Sequence, residues 1–430
     1  FFTGFSREAA SPLRLMLAAT FTLLLVALQG LCMDGELHPE QLIPFAAVLV
    51  MGWGLYIFSI GVMHRVSFEI ETVAFLLSGI GVQLLSAFDI EGITTQLAAM
   101  LLGMLLFCFM IWFMGDMDRV AKCRLWIGLG AILLLGATLV LGTNTYGSTN
   151  WIRIGPLSVQ PSEFVKIAFI FVGTSTLDRL QTKKNIGEFL IFTGACIGLL
   201  ALMPDFGMAL ILFATFLIIA FMRSGSVRTI ALVLAGAVLA VLVVLTVKPY
   251  VLDRFMGWGH VWEHINDNLG YSQTRTLTYL ASGGLFGVGL GNSYLASVFA
   301  ADSDLVFGLL CEEQGLLLGL VILLAFVLWI FYARSDVTRS RSTFFSIAAC
   351  AAAGMLLFQT ALNVFGATDV LPMTGVTLPF ISSGGSSMIS VWGMMAFLKA
   401  SDERTYAARR ASRRSLREEA PPPPSRTPQS

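Results

Sequence analysis

The sequence contains few charged residues and no recognisable cysteine motif. Only 13% of its 430 residues are Asp, Glu, Lys or Arg, against about 25% in a typical soluble domain. The chain is therefore too apolar for a soluble globular protein. Its six cysteines stand singly, without the paired spacing of a zinc site or a disulfide framework. The formal net charge is zero, which argues against nucleic acid as a partner.

Apolar residues dominate what remains. They make up 56% of the chain, and its mean hydropathy is +0.79. Several apolar stretches approach or exceed the about 20 residues that a helix needs to cross a bilayer. The sequence therefore predicts an all-α polytopic membrane protein with about 12 transmembrane helices. The predicted spans are residues 13–33, 44–63, 71–88, 97–114, 125–141, 164–177, 189–203, 207–222, 229–247, 305–332, 345–364 and 388–400.

The basic residues are distributed unevenly among the loops. When the loops are assigned alternately to the two sides, only five of the 27 Lys and Arg residues fall opposite the termini. Because cytoplasmic loops carry an excess of Lys and Arg, both termini are predicted to be cytoplasmic. The long loop 248–303, between the ninth and tenth spans, is then external. The five residues on the external side are Arg153, Lys166, Lys248, Arg254 and Arg275.

The last 30 residues have a different composition. Residues 401–430 are rich in Arg, Ser and Pro and contain little apolar sequence to bury. They are expected to form a disordered cytoplasmic tail. Their positive charge predicts a weak attraction to anionic membrane lipids, and a specific docking segment is the alternative.

Four acidic residues surround one end of the predicted span 305–332. Asp302 and Asp304 precede it, and Glu312 and Glu313 lie inside it. An ionisable group at membrane depth is costly unless it is paired or faces water, so these acids indicate a functional site. Adjacent helical residues point about 100° apart. Only one of the two glutamates is therefore expected to face a cavity, and the other needs a partner on a neighbouring helix.

Two further external segments contain charged residues. Glu163 and Lys166 are three residues apart on one helical face, after Pro161, which is suited to begin a helix. Two interpretations of this pair stay open: an ion pair that only fastens helices, or part of the lining of a polar cavity. Asp205, in the short turn PDFGMA, is expected to cap the helix that follows it.

Two segments contain residues that interrupt helices. ASGGLFGVGLGNS, at 281–293, resembles a phosphate-binding glycine motif only superficially, because no strand is predicted before it. LPMTGVTLPFISSGGSSM, at 371–388, contains two prolines, a glycine pair and the serines Ser386 and Ser387. Irregular backbone survives at membrane depth only when it is buried in protein or lines a water-filled cavity. The sequence therefore predicts a cavity that opens outward.

Six segments in this order resemble the signature segments of the SEDS proteins (shape, elongation, division and sporulation), the FtsW/RodA/SpoVE family. They are WIRIGPLSVQPSEFVKIA, PDFGMAL, GGLFGVGLGNS, DSDLVFGLLCEEQG, NVFG and LPMTGVTLPFISSGGSS. The resemblance covers roughly residues 78–399. Ten-span members have three spans before the first of these segments, whereas this chain has five. Residues 1–70 are therefore expected to be a cytoplasmic segment with two additional helices, before a core at 71–400.

The resemblance implies a peptidoglycan glycosyltransferase of the bacterial cytoplasmic membrane that polymerises lipid II at the outer face. Asp304 matches the catalytic aspartate of the family. A general base that takes the proton of the acceptor hydroxyl contributes about 100- to 10,000-fold, and the pyrophosphate leaves without an acid. External cations and polar groups are expected to bind the substrate. The expected substrate-binding residues are Glu163, Lys166, Arg153, Arg254, Arg275, Ser386 and Ser387.

The resemblance also implies a partner, a class B penicillin-binding protein that supplies the transpeptidase. No cofactor is expected, and the sequence does not decide whether a divalent cation takes part. A lipid II transporter or flippase and a non-catalytic scaffold remain as alternatives, although a transporter needs access from both faces. The sequence does not distinguish a role in division, elongation or sporulation.

The chain departs from the family pattern near the expected site. Asp302 and Ser303 precede Asp304 where His-Thr is usual, and Ser383 replaces a tyrosine. The segment YSQTRT, which includes Arg275, replaces a Gln-Gln-Ser pattern. These differences concern the handling of the substrate more than the class of reaction.

Overall fold

A computed structural model shows a mostly helical protein. It describes residues 12–31, 37–61, 67–87, 90–145, 148–155, 157–178, 183–225, 257–267, 269–337 and 342–402, together with 227, 231, 234 and 235. Almost all of the predicted span 229–247, and the tail from residue 403 onward, lie outside the described residues. Lys248 and Arg254 lie outside them as well.

All but one of the described helices follow the predicted apolar stretches. The first eight are α1 (Pro12–Leu31), α2 (Leu42–Gly61), α3 (Glu69–Ser86), α4 (Ile90–Met114), α5 (Met117–Leu141), α6 (Pro161–Asp178), α7 (Lys183–Leu202) and α8 (Phe206–Ser224). Helix α9 (Tyr271–Gly283) lies within the predicted long loop 248–303, and it is followed by α10 (Val306–Gln314), α11 (Leu316–Val337), α12 (Thr343–Ala367) and α13 (Gly385–Ser401).

By length and composition, eight helices in the described part of the chain are able to cross a membrane. They are α1 to α5, α8, α11 and α12. Helices α6, α7 and α13 occupy three further predicted spans. The helix α13 is nearly all buried, which shows that it lies in the middle of the bundle rather than against lipid.

The first two helices pack on the next two. The Gln83 side-chain amide of α3 donates to the carbonyl of Leu23 in α1, at 3.0 Å. Gln41, just before α2, exchanges hydrogen bonds with Ser86 at 2.9 and 2.6 Å. An apolar groove of about 580 Å³ separates α2 from α4 and is lined by Ile43 and Leu101 among others. The N-terminal helices are thus held by a few buried polar contacts within an apolar interface.

The centre of the bundle is formed where α4 meets α13. The indole of Trp392 packs edge-on against Phe107 and Phe380, with ring centroids 6.0 and 5.9 Å apart, and donates to Ser78 at 3.1 Å. A Cβ at Gly103 would lie only 2.9 Å from the Cβ of Trp392. The glycine therefore allows α4 and α13 to approach closely.

The prediction of an all-α chain is wrong between α5 and α6. Three short strands, β1 (Thr143–Thr145), β2 (Ser148–Ile154) and β3 (Leu157–Val159), form an antiparallel sheet in the order β1-β2-β3. Ile152 pairs with Val159, and Gly155 has the positive φ of +63° that the turn before β3 requires. Thr149 N donates to Met203 O at 3.3 Å. This contact places the sheet against the turn between α7 and α8.

The prediction of one continuous span at 305–332 is also wrong. The helix α10 ends at Gln314 and α11 begins at Leu316, because Gly315 takes φ 88° and ψ 157°. The first free N–H groups of α11 are satisfied by another loop. Leu316 N donates to Gly284 O at 3.0 Å, and the next amide donates to Leu285 O at 3.3 Å. The first N–H groups of a helix have no partner within the helix, and here another part of the chain supplies their acceptors.

Replacing the glycine at the break should destabilise the protein. Gly315→Ala places a side chain in a backbone region that is almost exclusive to glycine, which costs about 1–3 kcal/mol, and sets a Cβ against Leu285 O. Gly130→Ala is the control, because a Cβ at this position in α5 meets nothing within 4 Å. Thermal unfolding in detergent should show a lower midpoint for Gly315→Ala alone. Equal midpoints for both variants would contradict the break at Gly315.

Candidate functional site

Asp304 lies in a turn directly before α10. The amides of Asp304 and Leu305 both donate to Ala300 O, at 3.0 and 3.1 Å, and the Asp304 side chain is half-buried. Ala300 itself has φ +59°, a conformation that non-glycine residues seldom adopt. The aspartate is thus presented by an ordered turn outside the helices.

The main chain around Asp304 is fixed by three hydrogen bonds to other parts of the protein. Ser383 N donates to the carbonyl of Asp302 at 2.8 Å, and Ser382 Oγ donates to the carbonyl of Ser303 at 2.7 Å. The side chain of Asn363, on α12, donates to the carbonyl of Asp304 at 3.0 Å. Three consecutive carbonyl groups are therefore held, which fixes the position from which the Asp304 side chain extends.

The segment 371–384 that receives this turn is irregular, as its prolines and glycines predict. Gly375 has φ +66°, and a Cβ at this position would lie 3.4 Å from Asp304 Oδ2. The Asp304 carboxylate therefore stands beside Gly375. Gln96, on α4, holds the far end of the segment, donating to Ser382 O at 3.2 Å and accepting from Gly384 N at 3.1 Å.

Glu163 and Lys166 form a buried ion pair at the start of α6. Lys166 Nζ lies 2.6 Å from Glu163 Oε2, with the side chains 0% and 3% exposed. Each has a second partner, since Lys166 donates to Gln359 Oε1 at 2.9 Å and Ser390 Oγ donates to Glu163 at 2.6 Å. The predicted pairing is confirmed, and so is the start of α6 at Pro161.

Hydrogen bonds continue from this pair to the serines after the irregular segment. Gln359 Nε2 donates to Thr377 O at 2.9 Å and to Thr377 Oγ1 at 3.1 Å. The Thr377 hydroxyl lies 2.9 Å from Ser387 Oγ, and Ser386 Oγ accepts from Gln160 N at 3.0 Å. The structure thus joins the ion pair and Ser387 in one network, with Ser386 beside it.

The network, within the described residues, does not include the expected external arginines. Arg153 lies exposed on β2. The half-buried Arg275, on α9, places its guanidinium carbon 5.3 Å from the ring centroid of Tyr271. Arg254 belongs to the part of the chain that the structure does not describe. Asp304 and Lys166 are therefore connected through α12, which binds both of them, and not through these arginines.

Asp205 caps α8, as predicted. Its Oδ1 accepts from Met208 N at 3.1 Å, and its Oδ2 accepts from Asn150 at 3.1 Å and from Ser162 at 3.5 Å. Burial of the carboxyl group raises its pKa. A Cβ at Gly207 would lie 2.9 Å from a main-chain oxygen of segment 371–384. The PDFGMA turn therefore packs directly against the site.

Glu312 and Glu313 have a role that the sequence did not show. The carboxylate of Glu312 accepts from Ser293 Oγ, Tyr294 N and Leu295 N, and Glu313 accepts from the amide of Gly291. The expectation that one of them needs a partner on a neighbouring helix is wrong, because both bind the glycine-rich loop. Gly287 in this loop has φ +83°, and a Cβ there would strike Glu313 O. The glycines allow this close approach.

A second buried ion pair lies at the other end of α13. Lys399 Nζ is 3.0 Å from the Glu71 carboxylate and 2.6 Å from Ser67 O, with both charged side chains fully buried. Asp402 accepts from Ser67 Oγ at 3.1 Å and from Tyr332 OH at 3.0 Å. Lys399 lies thirteen positions after Ser386 along this helix, about 20 Å away. Sequence reasoning missed this cluster, whose members are far apart in the chain.

The fold and the polar network define a multi-pass helical membrane protein whose candidate site is built on interrupted helices. The family model of the cell cycle proteins FtsW, RodA and SpoVE matches residues 55–406. This chain belongs to that family, whose members span the bacterial membrane several times. Within the described ranges, no group of three or more His, Cys, Asp or Glu residues is arranged to hold a metal ion.

Relatives and solved structures agree with this assignment. The Bacillus subtilis protein named "Probable peptidoglycan glycosyltransferase FtsW" is 31% identical over 329 residues, 70% of this chain and 79% of that protein. The Coxiella burnetii protein of the same name is 36% identical over 270 residues, 60% of this chain and 72% of that protein.

Two solved structures share the fold. A chain from "Structural coordination of polymerization and crosslinking by a peptidoglycan synthase complex" matches with a TM-score of 0.67 and 25% identity, over 79% of this chain and 98% of that chain. The Rod shape determining protein RodA of Thermus thermophilus matches with a TM-score of 0.57 and 23% identity, over 77% of this chain and 95% of that chain. The RodA likeness shows the fold alone.

Breaking the ion pair in α6 should destabilise the protein. Glu163→Gln leaves the Lys166 charge buried and unpaired, a cost of about 3–5 kcal/mol. The double variant Glu163→Gln with Lys166→Met should regain part of the loss, because it removes that charge. Folded yield from size-exclusion chromatography and the thermal midpoint are the measurements.

Ser390→Ala is the matched control for this pair. It removes one hydrogen bond to Glu163 but leaves both charges, so a smaller loss of about 1–3 kcal/mol is expected. A Glu163→Gln protein as stable as the wild type would show that the pair is peripheral.

Proposed function

We propose that this protein is a peptidoglycan glycosyltransferase that polymerises lipid II at the outer face of the membrane and releases undecaprenyl pyrophosphate. The observation that carries the proposal is the fixed turn at Asp304, whose three main-chain carbonyls are held beside the buried Glu163–Lys166 network. The names of the curated FtsW relatives support the same reaction.

Asp304 acts as the general base in this proposal. Its carboxylate takes the proton of the acceptor sugar hydroxyl while that oxygen attacks the anomeric carbon of the donor. The bond from this carbon to the pyrophosphate oxygen breaks, and the pyrophosphate carries away the electron pair. Because the leaving group is already stable as an anion, one carboxylate suffices, unlike the acid and base pair of most glycosidases. The reaction as written needs no cofactor.

The other expected residues bind and orient the substrate. Lys166 supplies positive charge in a low-dielectric site, where a fixed charge stabilises a developing negative charge strongly. Lys166 is fully buried and is bonded to Glu163 and Gln359. These contacts favour an action on the substrate through the electric field of the hydrogen-bonded network. Ser386 and Ser387 supply hydroxyl groups beside it, and Arg153, Arg254 and Arg275 attract the pyrophosphate from the external loops.

The topology follows the charge distribution. In the proposed arrangement a ten-helix core follows two additional N-terminal helices, both termini are cytoplasmic and loop 248–303 is external. The partner is a class B penicillin-binding protein. The structural likeness to a chain of a peptidoglycan synthase complex that couples polymerization with crosslinking supports this choice.

Asp304→Asn should abolish polymerisation of labelled lipid II by the purified protein and its partner. Asparagine keeps the size of the side chain but does not accept the acceptor proton at neutral pH. Asp302→Asn is the control and should keep substantial activity. Lipid II binding and partner association should be unchanged in both variants.

Two outcomes of this assay would contradict the assignment. Polymer made by Asp304→Asn would exclude Asp304 as the base. A wild-type protein that moves lipid II across vesicles but makes no glycan would favour a transporter, and one that does neither but binds its partner would favour a scaffold.

Cysteine labelling tests the topology. In a variant that lacks the six native cysteines, Glu263→Cys should react with an impermeant maleimide added to intact spheroplasts, because this side chain is 73% exposed in the proposed external loop. Asp118→Cys, exposed in the first turn of α5, should react only after permeabilisation. The reverse pattern would overturn the orientation.

A further inference from the structure

Helix α12 carries two buried amide side chains one turn apart. Gln359, which is fully buried, accepts from Lys166 and donates to Thr377 O. Asn363 uses its side-chain nitrogen twice, donating to Asp304 O at 3.0 Å and to Val376 O at 2.7 Å. The same face of one helix therefore contacts the ion pair, the irregular segment and the turn of Asp304.

The orientation of the Asn363 amide is determined by these contacts. If the amide were turned over, its oxygen would face two carbonyl oxygens, which have no hydrogen to donate. The observed orientation leaves Oδ1 without a partner among the described residues, in a side chain only 3% exposed. An unsatisfied buried oxygen is unfavourable. The protein thus retains this arrangement although it costs Asn363 one hydrogen bond.

We infer that Asn363 is a positioning residue, which fixes the Asp304 carboxylate by tying the Asp304 carbonyl to the segment that contains Gly375. The inference rests on the proposed function, in which Asp304 is the base. Asn363 acts through the main chain of Asp304 and has no assigned contact with the substrate. A displacement of about 1 Å at a reacting group can cost about 100-fold in rate.

The second contact explains why an amide is needed. One hydrogen of the Nδ2 group reaches Asp304 O and the other reaches Val376 O, so the two chain segments are held at one distance from each other. Gln359, which binds Lys166, lies one helical turn earlier on α12, about 6 Å along the helix axis from Asn363. The rigid helix α12 therefore sets the separation between the proposed base and the buried cation.

Asn363→Ala and Asn363→Asp test the inference in the lipid II polymerisation assay with the partner present. Both variants should lose about 100-fold in kcat, with KM changed less than twofold, because Asn363 does not bind substrate in this account. Gln83→Ala is the matched control. Gln83 is also a buried amide, 1% exposed, whose nitrogen donates to a main-chain carbonyl and whose oxygen has no partner among the described residues.

The Asn363→Asp variant gives a pH readout that a general loss of stability would not produce. Its carboxylate faces two carbonyl oxygens and has no hydrogen to donate to them, whereas the protonated side chain has one O–H donor. Protonation at lower pH restores one O–H donor. The ratio of variant to wild-type kcat should therefore rise as the pH falls from about 8 to about 6, whereas Asn363→Ala should show a constant ratio.

The outcomes separate this inference from the proposed function. An inactive wild type or an active Asp304→Asn protein contradicts the function. If those two behave as expected, a normal kcat in Asn363→Ala, or an equal loss in Gln83→Ala, overturns the positioning role. A constant kcat ratio for Asn363→Asp across the pH range also overturns it.

Discussion

The main chain at 371–384 passes through the helical core without helix or strand hydrogen bonds. Backbone groups that are buried there need hydrogen-bond partners, and other parts of the protein supply several of them. Gln359 and Asn363 bind its carbonyls from α12, and Ser382 Oγ accepts from Leu378 N within the segment. The same segment and α12 also hold the carbonyls of 302–304. The position of Asp304 therefore depends on how this backbone is satisfied.

This constraint explains why the site contains so many neutral polar side chains. A buried hydrogen bond contributes only about 1 kcal/mol, but leaving its partner unsatisfied costs about 1–3 kcal/mol. A network of amides and hydroxyls therefore adds little to the stability of the fold. Its main effect is to select one arrangement, because other arrangements leave buried groups without hydrogen bonds. The proposed glycosyl transfer by a single carboxylate needs such a fixed arrangement, since the proposed base must meet the acceptor hydroxyl in one geometry. Glu312 and Glu313 likewise satisfy main-chain N–H groups at the end of the glycine-rich loop. Carbonyls of that loop in turn accept from the first amides of α11.

Local features of this site are predictable from the sequence, and contacts between distant residues are not. The pairing of Glu163 with Lys166, the cap at Asp205 and the helix start at Pro161 follow from spacings of a few residues. Asn363 and Asp304 are 59 residues apart, and Lys166 and Gln359 are 193 residues apart, so no pattern joins them. The break at Gly315 was missed because hydropathy averaged over about 19 residues does not register one glycine.

The docking of the Asp304 turn on segment 371–384 is the central structural claim, and disulfide cross-linking tests it most directly. Asp302→Cys and Ser383→Cys, in a variant lacking the native cysteines, replace residues that share a 2.8 Å main-chain hydrogen bond. A disulfide forms when the Cα atoms lie about 4.4–6.8 Å apart. Mild oxidation of membranes without substrate should yield the linked peptide by mass spectrometry in most of the protein. A folded double variant that stays reduced would contradict the docked turn.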